Sequence, residues 1–111
     1  MSLDVRTVND VTVLTPKGML LGGKETDELQ AKIRELSEAG NKKLLINLGQ
    51  TTFMNSVSLG VLIAGHTSYA KRGAKMKLAA VDKKIQNIFV VTKLSLVFDV
   101  SDSEKEAIAT F

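Results

Sequence analysis

Ser56 is the residue of this chain that is best placed for chemistry on a side chain. It follows the apolar segment 43–48 and a short polar stretch, and it precedes an apolar pattern that is compatible with a helix. In an open α/β sheet, ligands usually bind, and modified residues usually lie, in the crevice beyond the carboxyl ends of parallel strands. A charge added to a hydroxyl in the first turn of a helix would meet unpaired backbone N–H groups and the positive end of the helix dipole. The pattern therefore predicts a serine that can act as a switch.

Catalysis by Ser56 is disfavoured by the residues around it. The single histidine, His66, lies ten residues further on, which is about 15 Å along a continuous helix and beyond the reach of a nucleophile and its base. Ser56 also lacks the Gly-x-Ser-x-Gly elbow, and Gly22-Gly23-Lys24 lacks the remainder of a phosphate loop. The chain has no cysteine and its acidic residues are scattered, so no metal-binding cluster is predicted. We expect a protein that is not an enzyme and that binds neither metal nor cofactor.

The composition is that of an ordinary globular domain. The 111 residues are 44% hydrophobic and 24% charged, which is close to the average for soluble proteins and enough for one core. The 15 basic and 12 acidic residues are interspersed, so direct nucleic-acid binding is not expected. Residues 1–6 lack the basic and apolar pattern of a signal peptide, and no apolar run has the length of a membrane span. These features predict a cytoplasmic protein without membrane insertion.

Alternating apolar runs and helical patterns predict the element order ββαβαβαβα. The predicted strands are residues 5–8, 11–14, 43–48, 76–80 and 97–100, and the predicted helices are 25–39, 57–72, one capped by Asp82 and one capped by Ser103. The turn dipeptide Asn9-Asp10 indicates that the first two strands form a hairpin. Strands separated by single helices pair in parallel. We therefore expect an α/β fold with a mixed, mainly parallel sheet of about five strands and about four helices.

Motifs along the whole chain resemble those of the STAS domain family, named for sulfate transporters and anti-sigma factor antagonists. The family pattern is a strand ending in Asn-Leu or Asp-Leu, a short loop, an aromatic residue, and then Asp-Ser-Ser-Gly-Leu-Gly leading into a helix. The matching residues are Gly18, Ile46, Asn47, Leu48, Phe53, Met54, Ser56, Leu59, Gly60, Ala70, Gly73, Phe89, Leu94, Phe98 and Ala107. The resemblance implies a single STAS domain over residues 1–111, similar to the small bacterial antagonists.

The resemblance also implies a function and a site. Such an antagonist binds an anti-sigma factor that is a serine kinase, frees the sigma factor, and so regulates transcription indirectly; a phosphatase reverses the modification. The position that matches the phosphorylated serine is Ser56. The implied contact surface comprises the loops 18–23 and 51–58 and the exposed side of the following helix, with the residues Met19, Gly22, Gly23, Met54, Asn55, Ser56, Val57, Ser58 and Leu59.

Four departures from the family pattern leave other readings open. Asn55 stands in place of the acidic residue, Val57 in place of the second serine, and Ser58 in place of the glycine; the loop after Gly18 also lacks its usual acidic residue. Helix N-capping is a second role for Ser56 and Ser58, and tolerance of turn conformations a second reason for Asn55. The alternative functions are a non-phosphorylated STAS subunit of a lipid-transport or sensory assembly, and a small-molecule or nucleotide sensor.

Overall fold

The computed structural model describes residues 3–111, so the first two residues of the expected domain lie outside the described range. The strands in that range are β1 (Leu3–Val8), β2 (Val11–Pro16), β3 (Gly18–Leu20), β4 (Lys43–Asn47), β5 (Thr51–Met54), β6 (Lys75–Ala79) and β7 (Val100–Ser101). The helices are α1 (Lys24–Glu38), α2 (Ser56–Lys71), α3 (Lys83–Val91) and α4 (Glu104–Ala109), and a 3-10 turn covers Leu94–Leu96. Among these helices, none combines the length and apolar character that crossing a membrane requires.

The main sheet has the predicted architecture. Its strand order is β1-β2-β4-β6-β7, and every neighbouring pair is parallel except the hairpin of β1 and β2. Asn9 forms the hairpin turn with a φ of 56°, a left-handed conformation that asparagine tolerates well. The mixed, mainly parallel sheet of five strands and the four helices are therefore confirmed.

Two short strands were not predicted. β3 and β5 pair in parallel with each other and form a separate two-stranded sheet. The sequence analysis assigned both segments to loops, because three or four residues are too few to show an alternating pattern. The order of elements is thus βββαββαβαβα, and the two segments expected to form the contact surface are hydrogen-bonded neighbours.

The last predicted strand was wrong in its bounds. A strand was expected at 97–100, but β7 is Val100–Ser101 and is preceded by the 3-10 turn. A short apolar run does not distinguish a strand from an irregular segment that buries only some of its apolar side chains. Phe98, which follows the turn, is the buried side chain here, and it packs against Phe89 of α3. The expected caps were correct, since Asp82 accepts a hydrogen bond from the Ile85 N–H group (3.0 Å) and Ser103 from the Glu106 N–H group (3.2 Å).

The core lies on both faces of the main sheet. One face packs against α1, α2 and α3, with Leu14, Leu29, Ile46, Leu62, Leu78, Ile85 and Phe89 among its buried side chains. The other face is covered by α4 and holds Val11, Val13, Leu45, Ala79 and Ala107. Gly65 sets the approach of α2 to the core, because a Cβ atom there would lie 3.0 Å from both Ile33 and Met76.

Glu104 ties the start of α4 to the sheet. Its carboxylate accepts hydrogen bonds from Asn47, at the end of β4 (3.0 Å), and from Arg6 of β1. Burial alone would raise the pKa of Glu104, but these two donors outweigh it and hold the pKa below its ordinary value of 4.5. The ionised carboxylate therefore stabilises the folded chain.

Candidate functional site

Ser56 is the first residue of α2 and follows β5 after a single residue. Its side chain is exposed. The pairing of β3 with β5 places Met19 opposite Phe53 and Leu20 opposite Met54. The chain segment that leads into α1 therefore lies beside the segment that leads into α2, and Ser56 stands where they meet.

Asn55 is the N-cap of α2, so the suggestion that Ser56 or Ser58 fills this role was wrong. The Asn55 Oδ1 atom accepts hydrogen bonds from the N–H groups of Val57 (3.1 Å) and Ser58 (3.2 Å). The Ser58 Oγ atom accepts in return from the Asn55 N–H group (3.0 Å), which completes a capping box. The role of Asn55 is therefore to supply the oxygen that caps α2, which is more specific than the expected tolerance of turn conformations.

The other end of the Asn55 amide holds the neighbouring segment. Its Nδ2 atom donates a hydrogen bond to the Leu21 carbonyl oxygen (3.0 Å), just after β3. Beyond Leu21, the Gly22 N–H group donates to the Thr26 hydroxyl (3.0 Å), and Gly22 lies against Val57. A carboxylate in place of the Asn55 amide would have no N–H group for Leu21. Asn55, which departs from the family pattern, therefore joins the segment after β3 to the start of α2.

Four apolar side chains are exposed around Ser56. Met19 and Leu21 belong to the β3 segment, Phe53 to β5 and Val57 to α2, and their exposed fractions are 54%, 46%, 43% and 55%. We call these four residues, with Ser56, the Ser56 surface. Contiguous exposed apolar side chains with polar groups around them are typical of protein interfaces. The arrangement can bind another protein, and the exposed Ser56 hydroxyl lies among these side chains.

Three of the residues expected to contact a partner lie beneath this surface. Met54, Ser58 and Leu59 are 1%, 0% and 7% exposed, so they support the site and do not present side chains to a partner. Met54 faces the core because successive residues of a strand point to opposite sides, and Phe53 is the neighbour that faces outward. Phe53 and Leu21 were missed by the sequence analysis, and no simple alternation would have identified Phe53, because Thr51 and Met54 of β5 are buried while Thr52 and Phe53 are exposed.

The polar surroundings of Ser56 differ from the expectation in one respect. The first N–H groups of α2 were expected to be unpaired, but those of Val57 and Ser58 are bound to Asn55. A phosphate on Ser56 would therefore project from the surface, although the positive end of the helix dipole would still favour it. The sequence from 39 to 81 contains no Asp or Glu, so neither β5 nor α2 adds a carboxylate that would repel a negative charge.

Other chemistry is not brought to this site. His66 lies on α2, where its ring packs edge-on against Phe98 with the centroids 5.5 Å apart. Within residues 3–111, no three His, Cys, Asp or Glu side chains come together as a metal site would require. The geometry thus supports binding of a protein partner at an apolar surface that displays the Ser56 hydroxyl.

Comparison with known proteins agrees with this fold. The family model described as "STAS domain" matches residues 2–107. An anti-sigma factor antagonist from Mycobacterium paratuberculosis superposes with a TM-score of 0.85 at 20% identity, over 97% of this chain and 91% of that chain. The anti-sigma factor antagonist SpoIIAA in its unphosphorylated form gives 0.78 at 18% identity, over 97% and 96%. A sulfate transporter family protein from Wolinella succinogenes gives 0.75 at 12% identity, over 95% and 87%.

Proposed function

The chain belongs to the STAS domain family, and from this premise we propose that it is an anti-sigma factor antagonist switched by phosphorylation of Ser56. Its partner is an anti-sigma factor that is also a serine kinase, which binds the Ser56 surface while the serine is unmodified. Phosphorylation by that kinase ends the binding and a phosphatase restores it. The chain itself performs no catalysis; it acts in the cytoplasm and regulates transcription indirectly.

The exposure of the Ser56 hydroxyl among apolar side chains is the observation that carries this proposal. Met19, Leu21, Phe53 and Val57 offer a partner an uncharged surface that loses water on contact. Phosphorylation adds about −1.5 to −2 charges and three strong acceptor oxygens at that contact. Burying a charge against apolar groups costs far more than burying a hydroxyl. Because about 1.4 kcal/mol already changes affinity tenfold, the added charge releases the partner without refolding of either protein.

Structures of relatives support the proposal as well. SpoIIAA has been solved in a phosphorylated form, which this chain matches with the same TM-score of 0.78 as the unphosphorylated form. Within that relative, the modified protein retains the overall fold to which this chain is similar. A switch that acts through the charge at the surface is consistent with this likeness.

Phosphorylation by the cognate kinase tests the proposal directly. The purified chain is incubated with the kinase and ATP, and its intact mass is measured. We expect the wild type to gain one phosphate, Ser56→Ala to gain none, and Ser68→Ala to gain one; Ser68 is a matched control because it is an exposed serine on the same helix. An undiminished gain in Ser56→Ala would show that Ser56 is not the acceptor.

A non-phosphorylated STAS subunit of a lipid-transport or sensory assembly is the alternative function. Two observations favour it: Asn55 replaces the acidic residue of the family pattern, and the fold is also similar to that of a sulfate transporter family protein. In that case the same surface binds its partner permanently. Equal recovery of one partner by Ser56→Ala and Ser56→Asp would support this alternative and would contradict the switch. Use of the crevice as a small-molecule or nucleotide sensor remains an untested prediction.

A further inference from the structure

A second apolar surface lies at the end of α3, formed by residues other than those of the Ser56 surface. Val90 and Val91 end the helix, and Leu96 and Val97 follow at the 3-10 turn. Their exposed fractions are 63%, 81%, 84% and 43%. We call these four residues the α3 tip. Aliphatic side chains so exposed project beyond their neighbours, and four in one short segment are more than isolated surface residues explain.

The α3 tip is built on a firmly packed base. Ile85, Phe89 and Phe98 are at most 5% exposed and anchor the segment in the core. Lys93 turns the chain with a φ of 62°, and its N–H group donates to the Val90 carbonyl oxygen (3.1 Å), so that the 3-10 turn folds back towards the helix. The apolar face that α3 needs for folding is thus already buried, and the α3 tip is additional apolar surface.

Lysines are the charged residues within the segment that carries the α3 tip, and the two carboxylates that flank this segment already have partners. Asp82 caps α3 through the Ile85 N–H group, and Asp99 lies 3.3 Å from the Lys77 ammonium. Residues 83–98 include Lys83, Lys84 and Lys93 but no Asp or Glu. Lys83 and Lys84 precede Val90 and Val91 by seven residues each, which is close to two helical turns, so the cations and the aliphatic side chains share one side of α3. Lys93 adds a cation between the two halves of the α3 tip. The surface therefore favours an anionic occupant, and a second copy of the same positive surface would be repelled.

We propose that the α3 tip docks on the surface of an anionic lipid bilayer. Projecting side chains fit a bilayer without a matching cavity, because lipid head groups move aside for them, whereas a protein partner would need a preformed groove. Apolar side chains enter the boundary of the acyl chains while lysines beside them reach the lipid phosphates. The contact is peripheral and reversible, and it uses neither Ser56 nor any residue of the Ser56 surface.

Co-flotation with lipid vesicles tests this proposal on the whole chain. One set of vesicles contains phosphatidylcholine alone, and the other contains equal parts of phosphatidylcholine and phosphatidylglycerol. We expect binding to the anionic vesicles only, weakened by salt because the charges are exposed. Replacement of Lys83, Lys84 and Lys93 by Gln should reduce the partition coefficient by about fivefold for each lysine. Leu96→Asp should reduce binding at least fivefold, because it places a carboxylate at the point of entry.

Val57→Asp is the matched control for Leu96→Asp. It makes the same kind of change at an exposed aliphatic residue of the Ser56 surface, and it should leave vesicle binding unchanged. Thermal melting of each variant checks that it folds, and little change is expected at such exposed positions. Absence of binding to anionic vesicles, or equal vesicle binding by Leu96→Asp and wild type, would overturn the proposal. The proposal would also be overturned if Leu96→Asp lost the binding of a protein partner but kept the binding of vesicles. None of these outcomes bears on phosphorylation of Ser56.

Discussion

Replacing Asn55 separates the two tasks of its side-chain amide, which are to cap α2 and to hold the segment after β3. Asn55→Ala removes both. Loss of an N-cap costs about 1 kcal/mol of unfolding free energy, and loss of the hydrogen bond to the Leu21 carbonyl oxygen costs about 1 kcal/mol more. We therefore expect Asn55→Ala to lower the unfolding free energy by roughly 2 kcal/mol.

Asn55→Asp keeps the capping oxygen and removes only the donor to Leu21. The carboxylate gains about 0.3–1 kcal/mol from the positive end of the helix dipole, which offsets most of the lost hydrogen bond. This variant should therefore unfold within about 0.7 kcal/mol of the wild type. Ser56→Ala is the control, because Ser56 is exposed and its hydroxyl takes no part in the cap; it should change stability by less than about 0.5 kcal/mol.

Urea unfolding measures these free energies, and amide hydrogen exchange measures the state of residues 18–23. Because both Asn55 variants lack the donor to Leu21, exchange in that segment should be faster in both, although only Asn55→Ala loses much global stability. A loss in Asn55→Asp as large as that in Asn55→Ala would refute the separation of the two tasks. Unchanged exchange in Asn55→Asp would show that the hydrogen bond to Leu21 does not hold the segment.

Three further predictions follow from other parts of the structure. Gly60→Ala should raise the unfolding free energy by about 0.5–1 kcal/mol, because a Cβ atom there meets nothing within 4 Å. Gly65→Ala should lower it by about 1–3 kcal/mol, because its Cβ atom would lie 3.0 Å from core side chains. Urea unfolding compares the two variants, and a stabilising Gly65→Ala would contradict the packing described for α2. Because the pKa of Glu104 is lowered on folding, its contribution to the unfolding free energy is complete above the unfolded pKa of about 4.5 and is lost as the pH falls through the folded pKa. Urea unfolding at a series of pH values should therefore show that acid lowers the unfolding free energy of Glu104→Gln less than that of the wild type. Identical pH profiles of the two proteins would argue against this contribution. Val57→Asp should weaken binding of the anti-sigma factor at least tenfold in calorimetric titration, and unaltered affinity would exclude Val57 from the contact.

The main sheet could be predicted from the sequence because its strands and helices are long enough to show their periods. The buried strand β4 and the amphipathic helix α1 are examples, and the caps Asp82 and Ser103 follow from local side-chain chemistry. β3 and β5 could not be predicted, since short strands carry little pattern and their pairing depends on the tertiary fold. The choice of Met54 as a contact residue was wrong for a related reason: exposure within β5 does not alternate, so it depends on how the tertiary fold covers the strand. The contact from Asn55 to Leu21 joins residues that are 34 positions apart, and local propensity contains no information about it.

The most direct test of the account is the affinity of the cognate anti-sigma factor for the chain with and without phosphate on Ser56, measured by calorimetric titration of the two purified forms. The account predicts that the phosphorylated form binds at least tenfold more weakly, which corresponds to about 1.4 kcal/mol or more, while both forms unfold at similar urea concentrations. Equal affinities of the two forms would contradict the claim that the charge state of this exposed hydroxyl controls binding.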